Sequence, residues 1–433
     1  MELFYVFNFQ TIFLITIIIC LISNNWLNIS VYSKLFTLGI FCLKILFGLA
    51  ICYYFVFHLK LGKKTDLFIY FNQAAKLFDT LNGDLKSIIS IIVGNESQYQ
   101  KILSQLSLWK RDFDYGIPND NQTMIRIHLF LILLVGKSIL NHFLIFLLVS
   151  FVTILLLIKV IVNKLFINKN YLLVLFILPS LTVWNSATYK EGIALSIHAM
   201  LISLIIKFKD QINIINLTSL VFISFLHVFI KPIYLIAISP FLICYLLYQI
   251  IPILKYLNRI AILISIIIIT IFSFFHNNSG IDKDEYKYGN KFNILKMIEY
   301  KQDDFFYEAY TRKAETLLKL TPIKFNDFTY IVTFKEAILN VFFSPSLPNI
   351  TNLESIPFLI ENLFFWFLIL YGLKNKRFWK ISTVDKFLLL SGITICIFAG
   401  IISPVLGTVL KFKSIGYFYL FIALFKLNFQ TQK

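Results

Sequence analysis

An all-α, polytopic membrane bundle is the fold class this sequence predicts, on three observations. Hydrophobic residues make up 58% of the 433, aromatic residues 17% and charged residues only 15%, with a mean hydropathy of +0.78. No water-soluble globular class has that balance. The apolar residues gather into runs of the length that crosses a bilayer, about 20 residues each. The Lys and Arg behind the net charge of +17 are scattered through the loops between those runs rather than collected on a soluble face. That points to anionic lipids or lipid-linked phosphates as partners and away from nucleic acid.

Taken in order, the runs give about eleven crossings, near 3 to 22, 36 to 57, 139 to 160, 171 to 184, 192 to 207, 212 to 230, 233 to 251, 260 to 275, 357 to 373, 387 to 403 and 414 to 428. The first has an acid rather than a basic segment before it and no A-x-A-like cleavage site after it, so it reads as a retained span. The run Ile127 to Leu140 carries Gly136 and Lys137 and is expected to lie in the interface or to re-enter. Residues 1–433 form a single integral membrane domain with two long loops, 58–126 and 276–356. Both loops mix charges with aromatic and aliphatic residues at partly helical spacing, as in Phe305 to Leu320, so short helices are expected there.

Short loops set the orientation, because long ones translocate largely regardless of charge. Odd-numbered short loops carry Lys34, Lys164, Lys169, Lys207, Lys209, Lys255, Arg259, Lys374, Lys376, Arg377, Lys380 and Lys386. Even-numbered ones carry only Lys190, Lys231, Lys411 and Lys413. The N-terminus is therefore expected outside and the C-terminus in the cytoplasm, which puts both long loops and the unusual polar segments on the extracytoplasmic side.

Five segments on that side carry candidate site residues. Asp66, four residues before Tyr70, begins an amphipathic stretch; it either accepts a proton from an attacking hydroxyl or caps a surface helix with Thr65. The segment Trp184-Asn185-Ser186-Ala187-Thr188-Tyr189-Lys190-Glu191 packs polar groups between two spans, where they are expensive unless used or paired. Lys231 and Tyr234 lie at a tight turn, where the lysine either serves the site or snorkels to headgroups. Phe343, Pro345 and Pro348 are followed by Glu361 and Asn362, an acid several residues into an apolar run. Lys411 and Lys413 follow Gly407 as the last span begins, a pattern suited to phosphate because lysine attracts it as a point charge. The six histidines are dispersed without metal-ligand spacing, the five cysteines show neither disulfide nor zinc patterns, and no nucleotide-binding loop is present, so neither metal nor cofactor is expected.

In that order, Asp66 with Tyr70, then Pro179, Ser180, Trp184, Ser186, Lys190 and Glu191, then Lys231 and Tyr234, then Phe343, Pro345, Pro348, Glu361 and Asn362, then Gly407, Thr408, Lys411 and Lys413, the chain resembles a group of bacterial integral membrane proteins of polysaccharide assembly. That group is related in layout to Wzy-like repeat-unit polymerases and GT-C glycosyltransferases. This sequence departs from it in carrying Lys at 231, 411 and 413, where the resemblance leads one to expect Arg, and lysine lacks arginine's planar bidentate grip on phosphate. The resemblance implies glycosyl transfer at the outer face of the bacterial cytoplasmic membrane from a polyprenyl-phosphate- or pyrophosphate-linked saccharide, with other polysaccharide-assembly membrane proteins as partners. On that reading Asp66 is the general base or orients the acceptor, Glu191 and Glu361 orient cations, Lys190, Lys231, Lys411 and Lys413 hold phosphate, and Tyr70, Trp184, Asn185, Ser186 and Tyr234 line the substrate. The competing classes are a transporter or flippase of lipid-linked oligosaccharide, which Lys44, Lys137, Lys159 and His198 keep open, and a non-catalytic scaffold.

Overall fold

The computed structural model describes residues 9–23, 31–58, 65–110, 118–208, 213–250, 294–311, 313–314, 316–324, 329–346, 353–375 and 381–430. The described secondary structure is helical, with seventeen α-helices and two isolated bridges, Ile167 to Gln430 and Leu317 to Val405. In chain order the helices are α1 (Phe9–Ser23), α2 (Lys34–Tyr53), α3 (Asp66–Thr80), α4 (Leu85–Val93), α5 (Gln100–Leu103), α6 (Asp120–Val135), α7 (Ile139–Leu165), α8 (Lys169–Leu172), α9 (Pro179–Asn185) and α10 (Lys190–Phe208). They continue as α11 (Ile214–Ile230), α12 (Pro232–Ile250), α13 (Ile294–Thr311), α14 (Thr329–Phe343), α15 (Ile356–Lys374), α16 (Thr383–Ile402) and α17 (Leu406–Phe429).

Seven described segments are long and apolar enough to cross a membrane: α2 with the turn that extends it to His58, then α7, α10, α12, α15, α16 and α17. The described part of the first expected span is the 15 residues of α1, and the sixth is the shorter, 17-residue α11. The eighth expected span falls outside the described residues. The fourth, 171–184, departs from expectation: it is broken into α8, a 3₁₀ turn over Leu173–Phe176, and α9. Pro179 explains the break, because proline has no N–H to give and clashes with the preceding turn inside a helix, but is preorganised for the first position of a new one.

Helix α17 stands at the centre. Its Tyr417, Phe418, Tyr419, Phe421 and Phe425 are fully buried, as expected of a helix that is apolar all round. Glu191 of α10 meets Lys411 of α17 and His198 meets Tyr419, so these helices run in one direction. Helix α7 finishes beside the same end, where Ile167 bridges Gln430. Since α7 and α10 both run towards that end, the broken segment between them returns across the bundle. Helix α16 packs on α17 antiparallel, with Asp385 beside Lys426 and Gly392 beside Gly416. Each glycine lets the other's backbone carbonyl approach, the close contact that small residues permit in membrane bundles.

Helices from the first long loop fold at the opposite end, where α10 and α17 begin. Tyr70, Ala74 and Leu77 of α3, Ile88 and Ile91 of α4, and Met124, Ile125 and Leu129 of α6 bury one another in a separate core. The run expected to lie in the interface is thus the second half of α6, and Gly136, at φ +78°, turns the chain into α7. In the second long loop α13 stops at Thr311, short of the expected Leu320. Beyond it Leu318 N–H donates to Pro404 O at 2.7 Å and Leu406 N–H to Thr316 O at 3.0 Å, backbone pairings that hold this stretch extended.

Candidate active site

The broken return segment delivers the polar sequence that stands out in the chain. Pro179 opens α9, and the exposed N–H of Ser180 just behind it is capped by a carboxylate 181 residues away: Ser180 N–H donates to Glu361 at 2.7 Å and its hydroxyl at 2.5 Å. Helix α9 ends at Asn185, and three residues later Thr188 donates its hydroxyl to Leu67 O at 2.5 Å, which ties the segment to α3. Lys190 and Glu191 then open α10. Consecutive helix residues point about 100° apart, so the two side chains leave in different directions and find different partners.

Lys190 reaches the N-terminus of α6, with Asp120 at 2.9 Å and Asn121 also accepting from it, and lies 4.8 Å from the Tyr70 ring centroid. The Tyr70 hydroxyl donates to the same Asn121 at 3.2 Å. Glu191 points inward, between Lys231 at 3.2 Å and Lys411 at 3.4 Å, with only 1% of its side chain exposed. Lys411 also meets Asp66 at 2.5 Å. The result is an alternating row, Asp66, Lys411, Glu191, Lys231, with Lys190 and Asp120 alongside. Three cations and three carboxylates cancel.

Aromatic faces hold the cations from the other side. Lys411 lies 5.4 Å from Tyr189 and 5.9 Å from Trp184, and Lys231 lies 4.5 Å from Phe412 and 5.9 Å from Tyr234, within cation–π range. Glu191 forms the floor and Asp66, with 49% of its side chain open, the mouth. The Lys411 ammonium holds the Asp66 carboxyl down at about 2, against the opposing effect of burial and with further help from Lys190 and Lys231. Burial pushes the Tyr189 phenol well above its ordinary value. Around this row Trp184 Nε1, Asn185 Oδ1, Ser186 Oγ and Tyr189 Oη are buried without a hydrogen-bond partner. Buried polar atoms are normally satisfied, so each marks a place where a ligand hydroxyl would be favourable.

No protein-family model, curated protein or solved structure matches the chain. The site therefore has to be read from its own chemistry.

Of the twelve residues singled out in the sequence, the structure brings Asp66, Tyr70, Lys190, Glu191, Lys231, Tyr234, Lys411 and Trp184 into this one cluster, with Asn185 and Ser186 in the adjoining turn. Two go elsewhere. Glu361, expected to orient the cations, caps α9. Lys413 donates to Val341 O at 3.0 Å, Ser344 O at 3.2 Å and Asn362 Oδ1 at 3.0 Å, which engages all three ammonium donors at the C-terminus of α14 and leaves none for phosphate. Its position explains the difference: residues two apart on a helix do not share a face, so Lys411 and Lys413 point to different neighbours. Pro348 lies outside the described residues. Asp120, Asn121 and Tyr189 join the cluster without having been singled out. Tyr189 lies in the polar segment already noted, whereas Asn119-Asp120-Asn121 directly before an apolar run, a helix-start pattern, was the only signal for Asp120 and Asn121. Among the described residues no three His, Cys, Asp or Glu side chains group as metal ligands.

Proposed function

We propose that the chain is a membrane glycosyltransferase or repeat-unit polymerase that uses a polyprenyl-phosphate- or pyrophosphate-linked saccharide at the extracytoplasmic face of the bacterial cytoplasmic membrane, for surface polysaccharide assembly. The observation that carries the reading is the single cluster at one end of the bundle: three lysines from α10, α17 and the α11–α12 turn, one half-open carboxylate, and aromatic walls with unsatisfied polar atoms. The segments that carry Lys34, Lys164, Lys169 and Lys374 lie at the other end, and by the positive-inside rule we read that end as cytoplasmic.

The chemistry follows from the arrangement. An acceptor hydroxyl oxygen attacks the anomeric carbon, the bond from that carbon to the phosphate oxygen breaks, and the lipid phosphate leaves with the electron pair. Asp66 takes the hydroxyl proton. Lys411 and Lys231 face the charge that grows on the departing phosphate, and fixed cations aimed at developing charge are an effective way to lower a barrier. Trp184, partly exposed beside Lys411, presents a flat apolar face suited to a saccharide.

The test is deletion of the gene in its host, with lipid-linked and surface glycans separated by size. Single repeat units without long chains support a polymerase, and a polymer lacking one sugar supports a side-chain transferase. Unchanged glycans refute the proposal. The second reading, transport of a lipid-linked oligosaccharide, is favoured by Lys44, 6% exposed inside the bundle with its ammonium on Ser150 Oγ at 3.0 Å, since ionisable groups within spans mark transport paths in many proteins.

A further inference from the structure

The charge balance of the cluster bears on how its base is used. Every lysine in the cluster already has a carboxylate: Lys190 has Asp120, Lys231 has Glu191, and Lys411 has Asp66 and Glu191. Among the described residues a phosphate entering this site meets no uncompensated cation, and the carboxylate nearest the mouth repels it. One of the pairs has to open. Glu191 cannot leave, being enclosed between two lysines at 1% exposure. Lys190 and Lys231 are 9% and 12% exposed. The pair at the mouth is Lys411 with Asp66, at 15% and 49%, and Lys411 keeps Glu191, Trp184 and Tyr189 as neighbours when it turns from Asp66.

We infer that Lys411 restrains Asp66 while the two are paired and is drawn off it by the phosphate of the incoming donor, so that the donor itself releases the base. This rests on the proposed reading and adds the order of events. A carboxylate gripped by an ammonium at 2.5 Å is a poor proton acceptor; the same carboxylate with its partner transferred to phosphate is a good one. A phosphate or pyrophosphate carries more negative charge than a carboxylate and competes successfully for one lysine. An acceptor hydroxyl that arrives first finds no free base, and water is not activated in the absence of donor.

The experiment uses the full-length protein in nanodiscs and geranyl diphosphate as a short-chain probe, with binding measured by calorimetry at low salt. Asp66→Asn removes the competing charge at nearly constant shape. It is expected to bind the probe at least about fivefold more tightly than the wild type, while losing glycosyl transfer; Lys411→Met in the same background abolishes that gain. Equal or weaker binding by a folded Asp66→Asn protein overturns the inference and leaves the donor assignment standing. A wild-type protein that does not bind the probe at all overturns both. Should Asp66→Asn not fold, Asp66→Ser is read by the same criteria.

Discussion

Replacing Glu191 by Gln keeps the shape of the side chain and removes one charge from the floor of the cluster. That carboxylate serves two lysines, at 3.2 and 3.4 Å. With an effective dielectric constant of about 20, each pair contributes roughly 5 kcal/mol of Coulomb attraction. Most of this is offset by the desolvation of the three groups, so the pairs add little net stability while intact. Breaking them is another matter, because Lys231 remains buried and loses its counter-charge while Lys411 keeps only Asp66; removing one partner of a buried pair costs about 3–5 kcal/mol. Reversible unfolding in mixed micelles, titrated with sodium dodecyl sulfate, should therefore show Glu191→Gln less stable by about 3 kcal/mol or more. Adding Lys231→Met removes the stranded cation, so the double variant should be more stable than the sum of the single changes predicts. An Glu191→Gln protein within about 0.5 kcal/mol of wild type, or strict additivity with Lys231→Met, would refute the reasoning.

Three further outcomes are expected. Glu361→Ala strands the N–H and hydroxyl of Ser180 and should cost about 1–3 kcal/mol for each unsatisfied group, measured by the same titration, with Glu361→Gln losing less because its amide oxygen still accepts. Gly416→Ala places a methyl 2.8 Å from Gly392 O and 2.5 Å from Cys396 Sγ; an overpacking cost of about 1–3 kcal/mol against a helix-propensity gain of about 1 kcal/mol leaves a net loss, and a melting temperature at or above wild type would contradict it. The carboxyl of Asp66 lies lower in the folded protein than its ordinary value of 3.8, at about 2. Its stabilising share is therefore present above the ordinary value and lost as pH falls from about 4 to about 2. Thermal melts of wild type and Asp66→Asn should differ slightly at pH 6, because Asp66 is half open to solvent, and converge only once the pH is below about 2.

The bundle was legible because apolar length alone marks a span, and the cluster because polar residues in an apolar sequence need a reason. Trp184, Lys190, Glu191, Lys231 and Lys411 stood out on that ground, and the structure places them together. Depth and direction were not legible. Nothing local in the sequence says that Glu361 turns towards Ser180, since the two meet only once α15 and α9 are packed. The Lys190 partners Asp120 and Asn121 read as an ordinary helix start, which they also are: Asn119 Oδ1 accepts from Asn121 N–H at 3.0 Å. The histidines look dispersed along the chain, yet His128 stacks on His142 and His198 meets His227 edge to face, because antiparallel and adjacent helices bring distant positions to one level. Lys413 was misplaced by treating proximity in sequence as proximity in space, a step that the angular spacing of a helix forbids.

The pairing of Asp66 with a lysine 345 residues further along the chain also governs how the protein is made. During membrane insertion the carboxylates of Asp66 and Glu191 emerge long before Lys411 has been synthesised. Until α17 enters the bundle, the nascent chain carries these acids without Lys411. Chains truncated before α17 therefore leave Glu191, enclosed in the folded protein, with Lys231 but without its second lysine. Helix α17 brings the cation that balances Asp66 and Glu191, so the charge balance of the cluster is complete only once that helix has packed.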